Sequence, residues 1–219
     1  MSSGGWRPRA SLSTPPACST ARTKSTTPWP TWSNSCRRPW RNCGDSKWTS
    51  LPMRCTASAL KTPHEETQDK VAKGVGRPAV TTMGTILEAF KALGVTRIAV
   101  GSPYPEEVNK AERKYFESQG LSVTADESVI LFEAQQRLRH MNLVTEADVE
   151  ELAKHIDSPD AEAIFLSCGD MATLRIVDKL EKALGKPVVT SVQTTFWGAL
   201  RAAGIDDRID GCGTLLATH

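Results

Sequence analysis

The 219 residues contain no CxxC pair, no GxGxxG or GxxxxGK phosphate loop, and no regular spacing among their four histidines. The first absence argues against a zinc ribbon or finger, and the second against a nucleotide cofactor held on a glycine loop. The third leaves His64, His140, His155 and His219 as surface residues and makes a metal site unexpected. No apolar run approaches the roughly 18–20 residues needed to span a bilayer, and no short apolar stretch of a cleavable signal opens the chain. Six cysteines, Cys18, Cys36, Cys43, Cys55, Cys168 and Cys212, are too sparse for a small disulfide scaffold. The thiols therefore read as reduced and the protein as cytoplasmic.

A further shortage is local. Between Met1 and Pro52 there is no Val, Ile, Phe or Tyr, and Leu occurs only at 12 and 51, while ten Ser, seven Thr and seven Pro fill the stretch. It carries +7, which leaves −5 for the rest of a chain of net charge +2. Such a composition buries too little apolar surface to offset the entropy of ordering it. Its tryptophans, Trp6, Trp29, Trp32, Trp40 and Trp48, follow neither a helical nor an alternating period. A transit peptide fits the excess of Arg and Ser but not the prolines, which interrupt an amphipathic helix. A single-strand nucleic-acid tail fits the charge but lacks basic residues interleaved with the aromatics. We favour a shifted reading frame, so that 1–52 reads as a disordered or out-of-frame leader with no role for Cys18, Cys36 or Cys43.

From Met53 onward, short apolar runs alternate with amphipathic stretches, the pattern of an α/β fold in which parallel sheets are flanked by helices. Arg97–Gly101 reads as a strand, followed by a helix from Pro105 to about Gln119 that Gly120 stops. Thr145 opens a helix to about Ile156. Ala163–Ser167 is the clearest strand, Met171–Leu184 a helix ended by Gly185, Val188–Thr190 a strand, and Thr194–Ala203 a helix. The stretch from Asp126 to His140 does not contradict a helix.

Two segments repeat. Arg77-Pro78-Ala79-Val80-Thr81-Thr82 leads to Leu93-Gly94-Val95 as Lys186-Pro187-Val188-Val189-Thr190-Ser191 leads to Ala203-Gly204-Ile205, with Cys55 and Cys168 upstream of the respective prolines. The cationic Arg77 and Lys186 read as solvated loop residues. The repeat implies two pseudo-symmetric lobes, the first incomplete, with 53–95 as the remainder of the first, 96–190 as the second and 191–219 returning to the first. Both sulfurs would then face one cleft.

A cysteine between a strand and a helix sits near unpaired N–H groups and the positive end of the helix dipole, which lowers a thiol pKa from its usual value of about 8.5. Cys168 fits this description. Cys55 fits it less well, because Ser50–Arg54 contains a proline and few β-formers, so its upstream strand reads as missing. Small or hydroxylated neighbours, Thr56, Ala57, Ser58 and Gly169, would let a carboxylate approach those N–H groups. Tyr104 ends the strand after Val100 and Asn109 lies about one turn into the next helix, at the rim where open α/β sheets bind ligands. Against these readings, a free cysteine is more often inert core, Tyr104 can simply pack against its helix, and Asn109 can be an exposed helix residue. Cys212, between two glycines, reads as structural.

The segments Cys55–Ser58, Gly76–Thr82, Arg97–Tyr104, Ile164–Cys168 and Gly185–Ser191, with Trp197, resemble the aspartate/glutamate racemase superfamily, in the branch of maleate cis–trans isomerases and arylmalonate decarboxylases. The resemblance implies chemistry without a cofactor at a carbon next to a carboxylate, with Cys55 and Cys168 as the catalytic pair. It also implies that Tyr104 and the backbone around Thr56 and Gly169 bind a small carboxylic or dicarboxylic acid. Possession of both cysteines favours a maleate isomerase-like or racemase-like reaction over an arylmalonate decarboxylase-like one. Gly169-Asp170 stands where the branch more usually has Thr-Asn, which calls for the Asp170 carboxylate to be protonated or turned away. An inactive truncated homologue is the alternative of another class. Neither nucleic acid nor membrane is expected as a partner, and a homo-oligomer is left open.

Overall fold

Thr81 and Thr190 organise the chain locally, since each ends a three-residue strand and its side chain accepts the N–H that opens the helix behind it. The computed structural model describes residues 50–53, 56, 60, 62–129 and 144–219. Among them the order is β1 (Leu51–Met53), α1 (His64–Val75), β2 (Ala79–Thr81), α2 (Thr82–Leu93), β3 (Arg97–Ser102), α3 (Glu106–Ser118), β4 (Ser122–Ser128), α4 (Glu146–Ile156), β5 (Ala163–Leu166), α5 (Val177–Leu184), β6 (Val188–Thr190), α6 (Ser191–Ala202) and α7 (Thr214–Thr218). Every sheet pairing is parallel: β1 with β2 in one sheet, and β4-β3-β5-β6 in the other. This is an α/β fold of two lobes with helices on the sheet faces. None of the described helices is long and apolar enough to cross a membrane.

The repeat is exact in register. Met53 pairs with Thr81 in the first sheet as Leu166 pairs with Thr190 in the second, and α2 and α6 have 12 residues each. A strand upstream of Cys55 was not expected, yet β1 forms, beginning at Leu51, ahead of the boundary drawn after residue 52. Its proline is tolerated because β1 has a partner on one side only among the described residues, the edge situation in which a missing N–H costs no ladder bond. Ser50 adds a hydrogen bond of 3.0 Å to the carbonyl of Ala199 in α6.

The main core lies between α2, α3 and the second sheet. Met83, Ile86, Ala89 and Phe90 make one face of α2, and Phe90, Phe116 and Phe165 meet edge to face with centroids 5.5–6.1 Å apart. Alternation along the strands turns Ile98, Val100, Phe165 and Val189 into this core. On β3, a Cβ at Gly101 would come within 2.8 Å of Leu152 in α4, so the sheet is also closely covered by that helix. The helices α2 and α6 meet each other where Gly198 faces Thr85: a Cβ at Gly198 would lie 2.2 Å from the Thr85 methyl.

Several local expectations change. Asp126–Ser128 belong to β4 rather than to a helix, since they continue the parallel ladder on β3, and 130–140 of that expected stretch lie outside the described residues. The helix expected from Met171 starts at Val177, because the preceding residues wrap around Cys168, with Met171 and Thr173 buried. Lys186 is not solvated: its ammonium pairs with Asp157 at 2.7 Å and bonds the Ser158 carbonyl at 2.8 Å, tying the approach to β6 to the end of α4. His64 likewise is not a surface residue. Its side chain is 16% exposed, on the face of α1 that meets Gly84.

Candidate active site

In the four-stranded sheet the chain passes from β3 outward to β4 and then crosses back to β5, so the order reverses between β3 and β5. Open parallel sheets bind ligands at the carboxyl ends of the two strands that flank such a switch. Tyr104 follows β3 and Cys168 follows β5. Both are buried, and the Tyr104 hydroxyl hydrogen-bonds the Cys168 sulfur.

The backbone of Tyr104 is held from both sides. Its N–H donates to Ser102 Oγ at 3.0 Å, and Ser102 donates to Asn109 Oδ1 at 2.5 Å. Asn109 Nδ2 donates to Ser128 Oγ at 2.8 Å, and Ser128 in turn donates to the Tyr104 carbonyl. The ring closes through residues of β3, α3 and β4. Asn109 is not an exposed helix residue: it is buried, with both amide atoms engaged in fixing Tyr104.

Cys168 is 3% exposed. Burial pushes its thiol above the ordinary value; the Asp170 and Met171 N–H groups and the Tyr104 hydroxyl pull the other way, and the Asp170 charge adds to the rise. The thiolate expected from a helix dipole is therefore replaced by a neutral thiol. The helix begins only at Val177, too far along the chain to act, and the Asp170 N–H of the turn donates to Sγ at 3.4 Å. A group in this state suits proton donation better than nucleophilic attack. Asp170 itself is exposed.

Ser191, the first residue of α6, connects the two repeats. Its Oγ accepts from the Cys168 N–H at 3.1 Å and from Thr56 Oγ1 at 3.0 Å. Thr56 is 1% exposed and Ser191 is fully buried. Of the other expected site residues, Cys55, Ala57 and Ser58 lie outside the described residues, and Gly169 is partly buried beside Cys168. Cys212 is partly buried, and its carbonyl accepts from Gln193 Nε2 at 2.6 Å.

Below the turn lies Glu112, completely buried on α3. Ser167 donates to its Oε1 at 2.5 Å, while Oε2 has no hydrogen-bond partner among the described residues. Burial pushes this carboxyl from 4.5 up to about 7; the Ser167 hydrogen bond opposes the shift and the Asp126 charge adds to it.

The model of one family, arylmalonate decarboxylase, matches residues 61–216. The chain belongs to the arylmalonate decarboxylase family. The matched span contains Tyr104, Cys168 and Ser191, and begins after Cys55 and Thr56. Similar curated proteins include an arylmalonate decarboxylase from Bordetella bronchiseptica, 32% identical over 132 residues, which are 60% of this chain and 54% of that one. A maleate isomerase from Geobacillus stearothermophilus is 25% identical over 162 residues, 70% of this chain and 62% of that one. The chain thus spans between 54% and 62% of the length of these two relatives. A crystal structure of arylmalonate decarboxylase superposes with a TM-score of 0.75 at 25% identity, covering 84% of this chain and 82% of that one.

Glu112, Ser167 and Ser191 were not singled out from sequence as site residues. Glu112 had a signal: it falls on the same helical face as Val108 and Phe116, four residues from each, where a charged residue is out of place. Ser191 had one too, in its match to Thr82 within the repeat.

Proposed function

We propose that the protein is an enzyme of paired-cysteine chemistry on a small dicarboxylic acid, in the manner of a maleate cis–trans isomerase and without a cofactor. Cys55 adds to the alkene, the central bond turns, and elimination releases the trans diacid, while Cys168 supplies and recovers the proton. Tyr104, Thr56 and the backbone at Gly169 hold the carboxylates, assisted by Ala57 and Ser58. The observation that carries the reading is Cys168 itself: a buried thiol at the switch point of the sheet, bonded by a clamped tyrosine. A proton donor next to a carboxylate site is what protonation of an α-carbon requires.

The arylmalonate decarboxylase-like reading is favoured by the family match and the 32% identical relative. One experiment separates the two. Maleate and an arylmalonate are each incubated with the protein and with the C55A and C168A variants, and products are followed by proton NMR in D2O. The isomerase reading expects maleate to become fumarate, with both variants dead. The decarboxylase reading expects arylmalonate to lose carbon dioxide, with C55A active and C168A dead. Turnover of maleate retained in both variants would remove the paired-thiol mechanism, and no turnover of either acid by the unmodified chain would leave the inactive homologue.

A further inference from the structure

We propose that Ser191 is a positioning residue that couples a carboxylate held at Thr56 to the main chain of Cys168. The inference rests on the reading of the site as a dicarboxylate site and goes beyond it by naming how its two halves act together.

Ser191 Oγ must accept from the Cys168 N–H, because a peptide N–H can only donate. In the structure it accepts from Thr56 as well, so the Thr56 proton points at Ser191 and away from any substrate. A hydroxyl rotates to suit its partners. When a carboxylate reaches Thr56, the Thr56 proton turns toward the anion, and Ser191 donates its own proton into the Thr56 oxygen thus freed. The chain then runs one way, from Cys168 N–H to Ser191 to Thr56 to carboxylate, and each bond polarises the next. No bond to hydrogen is broken and no proton leaves its oxygen; only two hydroxyls rotate. Carboxylate binding in the first repeat thereby tightens the turn that holds the acid of the second.

The other repeat supplies an internal control. Thr82, at the position equivalent to Ser191, donates to the Met53 carbonyl at 3.0 Å and shares a 2.9 Å hydrogen bond with Thr195. Among the described residues its hydroxyl bonds neither the Cys168 turn nor Thr56, and it meets Ser191 only through Thr195, which bonds the Ser191 carbonyl at 2.7 Å. It also shows that threonine fits the first position of such a helix, which makes Ser191→Thr the conservative replacement.

The test uses the full chain, with succinate as a non-reacting dicarboxylate. Calorimetry gives affinity, and hydrogen exchange followed by NMR gives the protection of the Cys168 amide with and without succinate. Ser191→Ala is expected to weaken succinate binding about ten-fold and to abolish the succinate-dependent protection. Ser191→Thr restores both to within about three-fold of the parent, and Thr82→Val alters neither. Thr56→Val, measured at succinate concentrations that calorimetry shows to saturate it, abolishes the linked protection while leaving Ser191 in place, so the test survives if Ser191→Ala does not fold, and protection retained in saturated Thr56→Val would overturn the coupling. Unchanged affinity in Ser191→Ala, or a Cys168 amide indifferent to succinate in a parent chain that binds it, would overturn the coupling alone. A parent chain that binds neither succinate nor maleate would overturn the dicarboxylate reading, and the coupling with it.

Discussion

The two repeats share a backbone and differ in what they do with it. Both have a strand whose last residue pairs with a threonine, Met53 with Thr81 and Leu166 with Thr190, and both threonines cap a helix of 12 residues. In the first, the hydroxyl after the cap, that of Thr82, bonds the Met53 carbonyl of its own strand and Thr195 of α6. In the second, the equivalent hydroxyl of Ser191 reaches the turn of Cys168 and, through Thr56, the first repeat. The sheets differ as well. The second repeat is extended by β3 and β4 into a four-stranded sheet over the aromatic core, whereas the first has two strands among the described residues. The lesson is that a repeated backbone does not carry repeated contacts: the hydroxyl that follows the cap meets a strand carbonyl in one repeat and the Cys168 N–H in the other.

The unequal cores can be compared directly. Phe165→Ala is expected to lower stability by about 3–5 kcal/mol, because it removes the ring that packs on both Phe90 and Phe116. Val80→Ala in the smaller sheet should cost about half as much. Equal losses in urea unfolding would mean that the two sheets carry equal weight.

Glu112 sharpens the comparison through pH, since its hydrogen bond from Ser167 ties it to the second repeat. Its pKa is higher folded, at about 7, than the ordinary 4.5. The stability it contributes is therefore complete below the unfolded value, falls as the pH rises from there through the folded value, and is level above it. The loss across that window is on the order of 3 kcal/mol. Glu112→Gln should abolish this slope, so melting temperatures of parent and variant converge at pH 5 and separate in favour of the variant at pH 8. A constant difference would show that Glu112 does not titrate there.

The helix contact gives a test of intermediate size. Gly198→Ala should cost about 1–3 kcal/mol by forcing α6 away from Thr85, and Thr85→Ser, which removes the opposing methyl, should recover part of it. Ala89 occupies the equivalent place in α2 and is fully buried, so the repeat is asymmetric here too. The smallest effect expected is that of Thr82→Val, about 1 kcal/mol in thermal unfolding, with no change in ligand affinity.

Much of this was legible before the structure. Each strand at 97–101, 163–167 and 188–190 stands out as an apolar run flanked by turn residues, and α3 and α4 declare their ends through Pro105 and Thr145. The matching segments from Pro78 to Gly94 and from Pro187 to Gly204 disclosed the repeat, and part of the same text carried the family resemblance. The misreadings have physical causes. Pro52 hid β1, because propensity cannot tell an edge strand from a central one. The helical spacing of Leu174 with Val177 and Leu180 concealed the turn that closes around the cysteine. Asn109 looked exposed or ligand-binding because its partners, Ser102 and Ser128, come from two other strands.

By itself, then, the order of residues determined the strand–helix sequence, the duplicated unit, the family and the placing of Cys168 at a strand end, since all of these depend on local periodicity, capping and turn chemistry. Only the tertiary structure decided the state of that thiol and the company it keeps. Tyr104 reaches it because β3 and β5 lie side by side, and Ser191 meets Thr56 across 135 positions of chain. Burial and hydrogen bonds between distant segments set proton affinities, and no local pattern records which segments the fold will bring together.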